Sequence, residues 1–479
     1  MNTISLHIKS VIGLLVLSAC CLSSCTKQQK KANGTFFGGE IVNPNINASA
    51  VVLVKNDVAI DTITLDARNR FMYEFKDFNP GLYNFFLLNG EAQMVFIEEG
   101  DSIMLRVNTI DFDESLSFTG IGAEKNNFLI DLFLKKEEED GQMKYLYQKT
   151  PQAFEKSLDS FYRVRKKMYE SFTQKNEVST AFDKVASFAL KVHNYQRKEQ
   201  YPFSQYSKNK VRLINQLPED FYSFRESVNF SDARLGSLYG YIGYLESYFN
   251  HQSFLSYGDK LPFNTFAFHH NINEIQLIDS TVTSPEIKDH LLRRLALGFI
   301  ANNNKMEETD EIYAAFDRCT QKSFTKNRVE NIFMANKKMR AGNIIPDQIL
   351  VDTEGRLITL HNVIAKPTVI YFWSLNRFDH MENAHTKSQD LRSKYPDFDF
   401  VGINLNNDIQ RWKTTVAAHK LHLDREYQFK DYRKALRDLA VLNPQSRTLI
   451  LNADATIYNS HSNLYQVDFE NELLAYLNQ

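Results

Sequence analysis

The segment from Thr368 to Trp373 is an uninterrupted run of β-branched and aromatic residues, and it constrains the fold more than any other part of the chain. A short apolar run of this kind predicts a strand buried on both faces. A helix is predicted after it, from about 379 to 394, and a second apolar strand from 398 to 405. Strands joined through a helix pair in parallel, so the sequence predicts an α/β domain over residues 342–479.

Four further elements complete this predicted domain. They are helices at 410–420 and 431–439 and two closing strands at 448–451 and 456–458.

The order of a buried strand, Phe372-Trp373, a short turn and a helix resembles the active-site approach of the thioredoxin-like envelope proteins of the TlpA type. In that family the turn carries Cys-x-x-Cys, and the two cysteine positions fall on Arg377 and His380 here. The family also has a cis-proline before the strand opposite the turn, and Ser446 stands at that position. Thiol exchange needs a reactive thiolate and a second thiol. The resemblance therefore implies a thioredoxin-like fold without catalytic residues at this turn.

The residues that replace the cysteines leave two interpretations open. Arg377, Asp379, His380 and His385 could contact an anion or a partner near the helix start, helped by free backbone N–H groups. Alternatively, they are ordinary surface residues. A metal site is not predicted, because His380 and His385 are five residues apart and lie about 140° apart around a helix.

A second histidine pair, His419 and His422, is expected to face solvent. No cofactor is predicted either, since the chain has no phosphate-binding Gly-rich loop and no serine hydrolase elbow.

The N-terminus predicts export and a lipid anchor. Lys9 precedes an apolar run at 11–19, and Leu22-Ser23-Ser24-Cys25 resembles a bacterial lipobox. Residues 1–24 would be the signal peptide, Cys25 would carry acyl chains such as palmitate, and residues 25–33 would form a tether. The alternative is an ordinary secretory signal. The apolar run is too short for a spanning helix, which needs about 20 residues. We expect an outer-membrane lipoprotein that faces the periplasm.

The cysteine count limits thiol chemistry. The four cysteines are Cys20, Cys21, Cys25 and Cys319. Removal of the signal peptide and lipidation of Cys25 would leave Cys319 as the one free thiol, so the mature chain could form no internal disulfide. We expect Cys319 to be a small buried apolar residue rather than a nucleophile.

Residues 34–122 alternate between short apolar runs and turn signals, which predicts an antiparallel β-sandwich or barrel, with the sandwich favoured. The predicted strands are 34–41, 50–54, 59–65, 71–75, 81–88, 92–97 and 102–107. Their order resembles the β-sandwich of unknown function at the N-terminus of many TlpA-type lipoproteins. The matching pieces are 61–63, 70–73, 80–83 and 99–103. The resemblance implies a spacer or docking domain.

Residues 123–341 change to the helical period of 3.6. One predicted apolar face contains Phe154, Leu158, Phe161, Val164, Met168 and Phe172, and residues 307–339 also have a helical pattern. We expect the charged run at 135–140 to be a solvated helix end. Aromatic stripes of this kind are core more often than a ligand cleft.

The whole chain is therefore predicted to be a multidomain α+β protein. Its 56 Lys and Arg residues nearly balance its 58 Asp and Glu residues, which gives no sign of a nucleic-acid partner. The favoured function is binding or scaffolding at the membrane through an unknown protein partner or ligand. The alternatives are a TlpA-type thiol-disulfide oxidoreductase and a component of a surface uptake or assembly system, with the helical region as its ligand-binding part.

Overall fold

The computed structural model describes residues 34–479, apart from 45–49, 57, 77, 88–90, 206–208, 304, 322 and 407. The predicted signal peptide, the lipidation site Cys25 and the tether lie outside the described residues. The described chain is a mixed α and β structure with three sheets. The division into domains at 122 and 341 stays a prediction. Within the described part, no helix combines the length and the apolar character that a membrane span requires.

Two four-stranded sheets form the N-terminal part. Their strands are β1 (Phe36–Val42), β2 (Ala50–Lys55), β3 (Val58–Thr64), β4 (Arg70–Glu74), β5 (Gly81–Leu87), β6 (Ala92–Ile97), β7 (Ser102–Asn108) and β8 (Ser117–Ile121). One sheet has the order β4-β1-β7-β8 and the other β3-β2-β5-β6. Alternating residues such as Phe37, Leu53, Phe85 and Ile103 are fully buried in one core. The strands predicted between 34 and 107 are confirmed to within a few residues.

The prediction of a purely antiparallel sandwich is wrong at one pair. Strand β1 runs parallel to β7, with Phe36 opposite Ser102 and Val42 opposite Asn108. Of the strands between them, β4 pairs antiparallel with the other edge of β1. Strands β2, β3, β5 and β6 form the other sheet, from which the chain returns in the same direction as β1. Strand β8, which was not predicted, then pairs antiparallel with β7.

A helical part follows the two sheets, after the single turn α1 (Phe112–Ser115) before β8. Its helices are α2 (Ala123–Leu146), α3 (Pro151–Thr173), α4 (Thr180–Ser204), α5 (Lys210–Ile214), α6 (Tyr239–Tyr257), α7 (Phe268–Thr281), α8 (Pro285–Asn302), α9 (Met306–Cys319) and α10 (Ser323–Lys338). Thr150 and Ser179 cap the starts of α3 and α4 by accepting hydrogen bonds from backbone N–H groups. The helical pattern predicted for 307–339 is interrupted, because Thr320 has extended backbone angles at the end of α9.

Two predictions for the helical part are wrong. Val164, expected in the core, is 42% exposed, whereas its neighbour Arg165 is 1% exposed. The charged run at 135–140 is not entirely solvated either, because Glu139 is buried. The two errors share one cause. Glu139 on α2 accepts hydrogen bonds from Arg165 on α3 and from Arg197 on α4.

The C-terminal part is built on a seven-stranded sheet. Its strands are β9 (Ile349–Val351), β10 (Leu357–Thr359), β11 (Thr368–Trp373), β12 (Asp399–Asn404), β13 (Glu426–Phe429), β14 (Thr448–Leu451) and β15 (Ile457–Ser462), in the order β10-β9-β13-β12-β11-β14-β15. Its helices are α11 (Leu360–Val363), α12 (Phe378–Lys394), α13 (Ile409–Ala418), α14 (Tyr432–Asp438) and α15 (Phe469–Leu477). Strand β13 and helix α15 were not predicted.

Strand β11 lies inside this sheet, and all six of its residues are buried. It pairs parallel with β12 and antiparallel with β14, while β12 pairs parallel with β13. Separate apolar clusters cover the two faces of the sheet, and Trp373 and Trp412 belong to the same one. The parallel pairing predicted for the strands on either side of α12 is therefore confirmed.

A buried arginine connects the seven-stranded sheet to the helical part. Arg447, immediately before β14, donates hydrogen bonds to the carbonyl of Ser460 on β15 and to that of Ala301 in the last turn of α8. Burial lowers the pKa of its guanidinium to about 10. A cation at a helix C-terminus is stabilised by the unpaired carbonyls and by the helix dipole. This contact fixes the loop before β14 against α8.

Candidate functional site

The turn between β11 and α12 is the site that the sequence singled out. After Trp373 the chain leaves the sheet, and the side chain of Asn406 accepts hydrogen bonds from Ser374 Oγ at 3.0 Å and from the backbone N–H of Leu375 at 2.7 Å. Arg377 is the residue before α12 and makes no side-chain capping hydrogen bond. The turn is thus held by the loop that follows β12.

His380 joins the start of α12 to the opposite loop. Its Nε2 lies 2.8 Å from the carbonyl oxygen of Gln445. A carbonyl only accepts, so Nε2 carries the proton. The other ring nitrogen, Nδ1, is buried and has no hydrogen-bond partner in the described part of the chain. The His380 ring also contacts Tyr465, with centroids 5.7 Å apart. His380 therefore closes the turn onto the loop at 444–446.

A buried carboxylate contacts both β11 and α12. Glu426, the first residue of β13, is 1% exposed. Its Oε1 accepts from Tyr371 at 3.2 Å and lies 3.1 Å from His385 Nε2, and its Oε2 accepts from Trp373 Nε1 at 2.9 Å. Gly402 on the neighbouring strand makes room for this side chain, because a Cβ there would lie 2.5 Å from Glu426 Oε1.

The hydrogen bonds define the charge of His385. Its Nδ1 lies 2.7 Å from the Met381 carbonyl, and its Nε2 faces the Glu426 carboxylate. Both partners are acceptors, so both ring nitrogens are donors and the imidazole is a cation. Burial alone would lower the pKa of His385, but the hydrogen bond and the charge of Glu426 outweigh it and raise the pKa. Burial and the same carboxylate raise the pKa of Tyr371 well above its usual value, which keeps the phenol neutral.

The other predicted site residues are not brought together. Arg377, Asp379 and Ser446 are exposed, and Ser446 Oγ donates to the Asn443 carbonyl. His380 faces Gln445, whereas His385 faces Glu426, so the two rings do not share a ligand position. No group of three His, Cys, Asp or Glu side chains in the described ranges is arranged to hold a metal ion. His419 and His422 are exposed, as predicted.

Cys319 lies in a different part of the molecule. It is the last residue of α9, and it packs against the apolar core of the helical part. Burial and the neighbouring Asp279 raise the pKa of its thiol. A raised pKa reduces the fraction of thiolate, the nucleophilic form. The environment of Cys319 therefore does not favour thiol exchange.

Sequence reasoning missed Glu426 and its link to His385. The only signal was the short run Glu426-Tyr427-Gln428-Phe429, in which a strand would place Glu426 and Gln428 on one face. Polar residues at alternate positions predict a solvated face. In the folded chain, however, all four residues are buried.

Comparison with known proteins gives structural neighbours only. No family model matches the chain, and no curated protein matches it. The thioredoxin domain of a thiol-disulfide oxidoreductase from Bacteroides vulgatus is 14% identical, with 29% of this chain and 98% of that chain covered and a TM-score of 0.25. A thiol:disulfide interchange protein from Bacteroides sp. is 15% identical, with 30% and 93% covered and a TM-score of 0.25.

A third neighbour is a thiol peroxidase from Chromobacterium violaceum. It is 17% identical, with 29% of this chain and 88% of that chain covered and a TM-score of 0.25. The similarity thus concerns less than a third of the chain, and at these TM-scores it carries no argument about activity.

Proposed function

We propose that this protein is a lipid-anchored envelope protein whose thioredoxin-like C-terminal domain binds a partner and has no redox activity. The observation that supports the proposal most directly is the turn before α12. Arg377 and His380 occupy the two positions at which TlpA-type proteins carry cysteine, and His380 Nε2 donates a hydrogen bond to the Gln445 carbonyl. Neither side chain can form a disulfide or a thiolate.

The exposed surface around the turn suits contact with another molecule. Phe378 is 51% exposed and Val467 is 98% exposed, and Tyr465, two residues before Val467 in sequence, contacts the His380 ring. Arg377 adds an exposed cation beside Phe378. Aromatic residues and arginine are enriched at the centres of protein interfaces. The partner in this proposal is a protein, with Phe378 and Arg377 as its main contacts.

The competing proposal is a thiol-disulfide oxidoreductase, and a reductase assay distinguishes the two. We expect the full-length protein to show no dithiol-dependent reduction of a disulfide substrate, because the turn has no thiol and Cys319 has a raised pKa. The Cys319→Ser variant should give the same background rate. The double variant Arg377→Cys, His380→Cys, which places two thiols at the turn, provides the positive control for the assay.

Two results of this assay have different meanings. Turnover that persists in Cys319→Ser would refute the redox-inactive proposal, because it would have to come from one of Cys20, Cys21 and Cys25 or from chemistry without a protein thiol. Turnover that disappears in Cys319→Ser would instead support the oxidoreductase and would place its thiol on α9.

The proposed anchor has a separate test. We expect intact-mass analysis of the membrane-extracted protein to show a chain that begins at Cys25 and carries acyl chains, because several chains are needed for stable anchoring. The Cys25→Ala variant should retain its signal peptide or appear without acyl mass. An unmodified Cys25 in the mature wild-type protein would remove the membrane from the proposal.

A further inference from the structure

A cavity of about 350 Å³ lies between three helices of the helical part. Helices α6, α7 and α8 supply its walls, and Thr265 and Phe266 before α7 form part of its rim. Its volume is at the lower end of the range of about 300–1,000 Å³ that is usual for small-molecule sites. The apolar side chains of the lining are Phe266, Ile278, Leu291, Leu295 and Phe299. Phe266 is half-exposed and Leu295 is partly buried, whereas Ile278, Leu291 and Phe299 are buried behind them.

One carboxylate in this cavity has no hydrogen-bond donor among the residues that the structure describes. Glu274 on α7 is 14% exposed, and the nearest charged or titratable partner among the described residues is His270, whose Nε2 lies 3.8 Å away. Both ring nitrogens of His270 already have hydrogen-bond partners. Nδ1 lies 2.9 Å from the Tyr257 hydroxyl and Nε2 lies 2.9 Å from Asn250 Oδ1. Burial lowers the pKa of His270 to about 4, so its ring is neutral and does not compensate the carboxylate.

The other charged groups around the cavity do not compensate Glu274 either. Glu246 on α6 forms an ion pair with Arg294 on α8, so this arginine already has a carboxylate partner. Burial, together with the charge of Glu246, raises the pKa of Glu274 to about 8. A lone carboxylate in an apolar setting is costly to ionise, and a cation placed next to it offsets that cost.

We infer that this cavity is a binding site for small amphiphilic primary amines, with the Glu274 carboxylate as the counter-ion of the ammonium group. The ammonium donates hydrogen bonds to Glu274, and the hydrocarbon part packs on the accessible side chains of Phe266 and Leu295. The site is a concave cavity of the helical part, whereas the turn at Arg377 is an exposed surface of the C-terminal part. The inference does not depend on the partner proposed above.

Binding of an amine at neutral pH must release a proton. An alkylammonium resembles the lysine side chain, with a pKa of about 10.4, and it stays charged on binding. Glu274 is largely protonated at pH 7 when the cavity is empty and becomes ionised when the ammonium pairs with it. The proton passes to the buffer. Affinity should therefore rise from pH 6 to pH 8 and level off above the pKa of the free carboxyl.

The test is calorimetric titration of the full-length protein with n-hexylamine and with hexan-1-ol, a neutral probe of the same length. We expect the amine to bind at least about tenfold more tightly, since hydrogen bonds between charged groups are stronger than neutral ones. Titrations at pH 7 in two buffers with different heats of ionisation should show release of about one proton per amine bound.

Glu274→Gln is the decisive variant. The amide replaces a largely neutral carboxyl of the same shape, so the fold should be kept, which thermal unfolding verifies. We expect the variant to bind hexylamine about tenfold more weakly and to release no proton, while hexan-1-ol binding is unchanged. Glu311→Gln is the matched control, because Glu311 lines a neighbouring cavity beside Cys319 and should leave amine binding unaltered.

Three results would overturn the inference. They are equal affinity for hexylamine and hexan-1-ol, retention of amine affinity by folded Glu274→Gln, and no binding of hexylamine at millimolar concentration.

Discussion

Replacing Glu426 with alanine is expected to lower the free energy of unfolding by about 3–5 kcal/mol. The substitution removes the acceptor for Trp373 Nε1, the Tyr371 hydroxyl and His385 Nε2 at once. The His385 cation would then be left buried without its counter-ion. The cavity created by the lost carboxylate adds to the loss, because Gly402 offers no side chain to fill it.

Urea denaturation of the wild type and Glu426→Ala at pH 6 measures this difference. Glu382→Ala is the matched control, since Glu382 is an exposed carboxylate on α12 and its loss should change stability by no more than about 0.5 kcal/mol. A loss below about 1 kcal/mol for Glu426→Ala would show that the ion pair with His385 contributes no net stability.

The same pair gives the wild-type protein a pH-dependent stability. The pKa of His385 is raised in the folded state, so the folded chain holds the proton more strongly than the unfolded chain. The stabilisation is fully present below the unfolded pKa of about 6.5 and is lost as the pH rises through the folded pKa. Denaturation curves from pH 6 upward should show this decline, and His385→Gln should remove it.

Replacing Glu139 with alanine is expected to cost a similar amount, about 3–5 kcal/mol. Glu139 is the shared carboxylate of Arg165 and Arg197, both of which are buried. Arg197 would keep its contact with Asp140 at 2.7 Å, but Arg165 would keep only neutral partners, the Leu190 carbonyl and Asn194. Two neighbouring guanidinium groups would then repel each other in a region of low dielectric constant.

Thermal and urea unfolding of Glu139→Ala, with Glu137→Ala as the control, measures the contribution of this network. Glu137 is exposed on the same helix, so its loss should be almost neutral. Glu139→Gln should fall between the two variants, because its amide oxygen still accepts a hydrogen bond but no longer balances the charges. Equal stability of Glu139→Ala and Glu137→Ala would contradict the structural role assigned to Glu139.

The sequence predicted the strands well where hydrophobic periodicity alone determines them. β11 is buried on both faces, and its apolar residues need no particular partner. β13 was missed because Glu426 is stabilised in the core by Tyr371, Trp373 and His385, which are 41 to 55 positions away in sequence. Hydrophobic patterns do not reveal a polar residue that is buried through distant donors.

The wrong prediction that Val164 rather than Arg165 is buried has the same cause. At about 100° per residue, Arg165 lies near the centre of the apolar face of α3, seven positions from both Leu158 and Phe172. Val164 lies about 80° from that centre, at the edge of the face. Hydropathy favours burial of the valine. The carboxylate of Glu139, 26 positions earlier, decides in favour of the arginine. At the site itself, the sequence identified the turn and its missing thiols, but it could not show that His380 is bonded to the Gln445 carbonyl.

Arg447 has a consequence for any attempt to produce the C-terminal part by itself. A fragment that began at residue 342 would contain β14 and β15 but not the helix that ends near Ala301. The Arg447 guanidinium would keep the Ser460 carbonyl and lose the Ala301 carbonyl, which leaves a cation exposed where α8 had been. The shortest piece with an intact surface must therefore include α8, so the boundary useful for expression is earlier than the one that the sheet suggests.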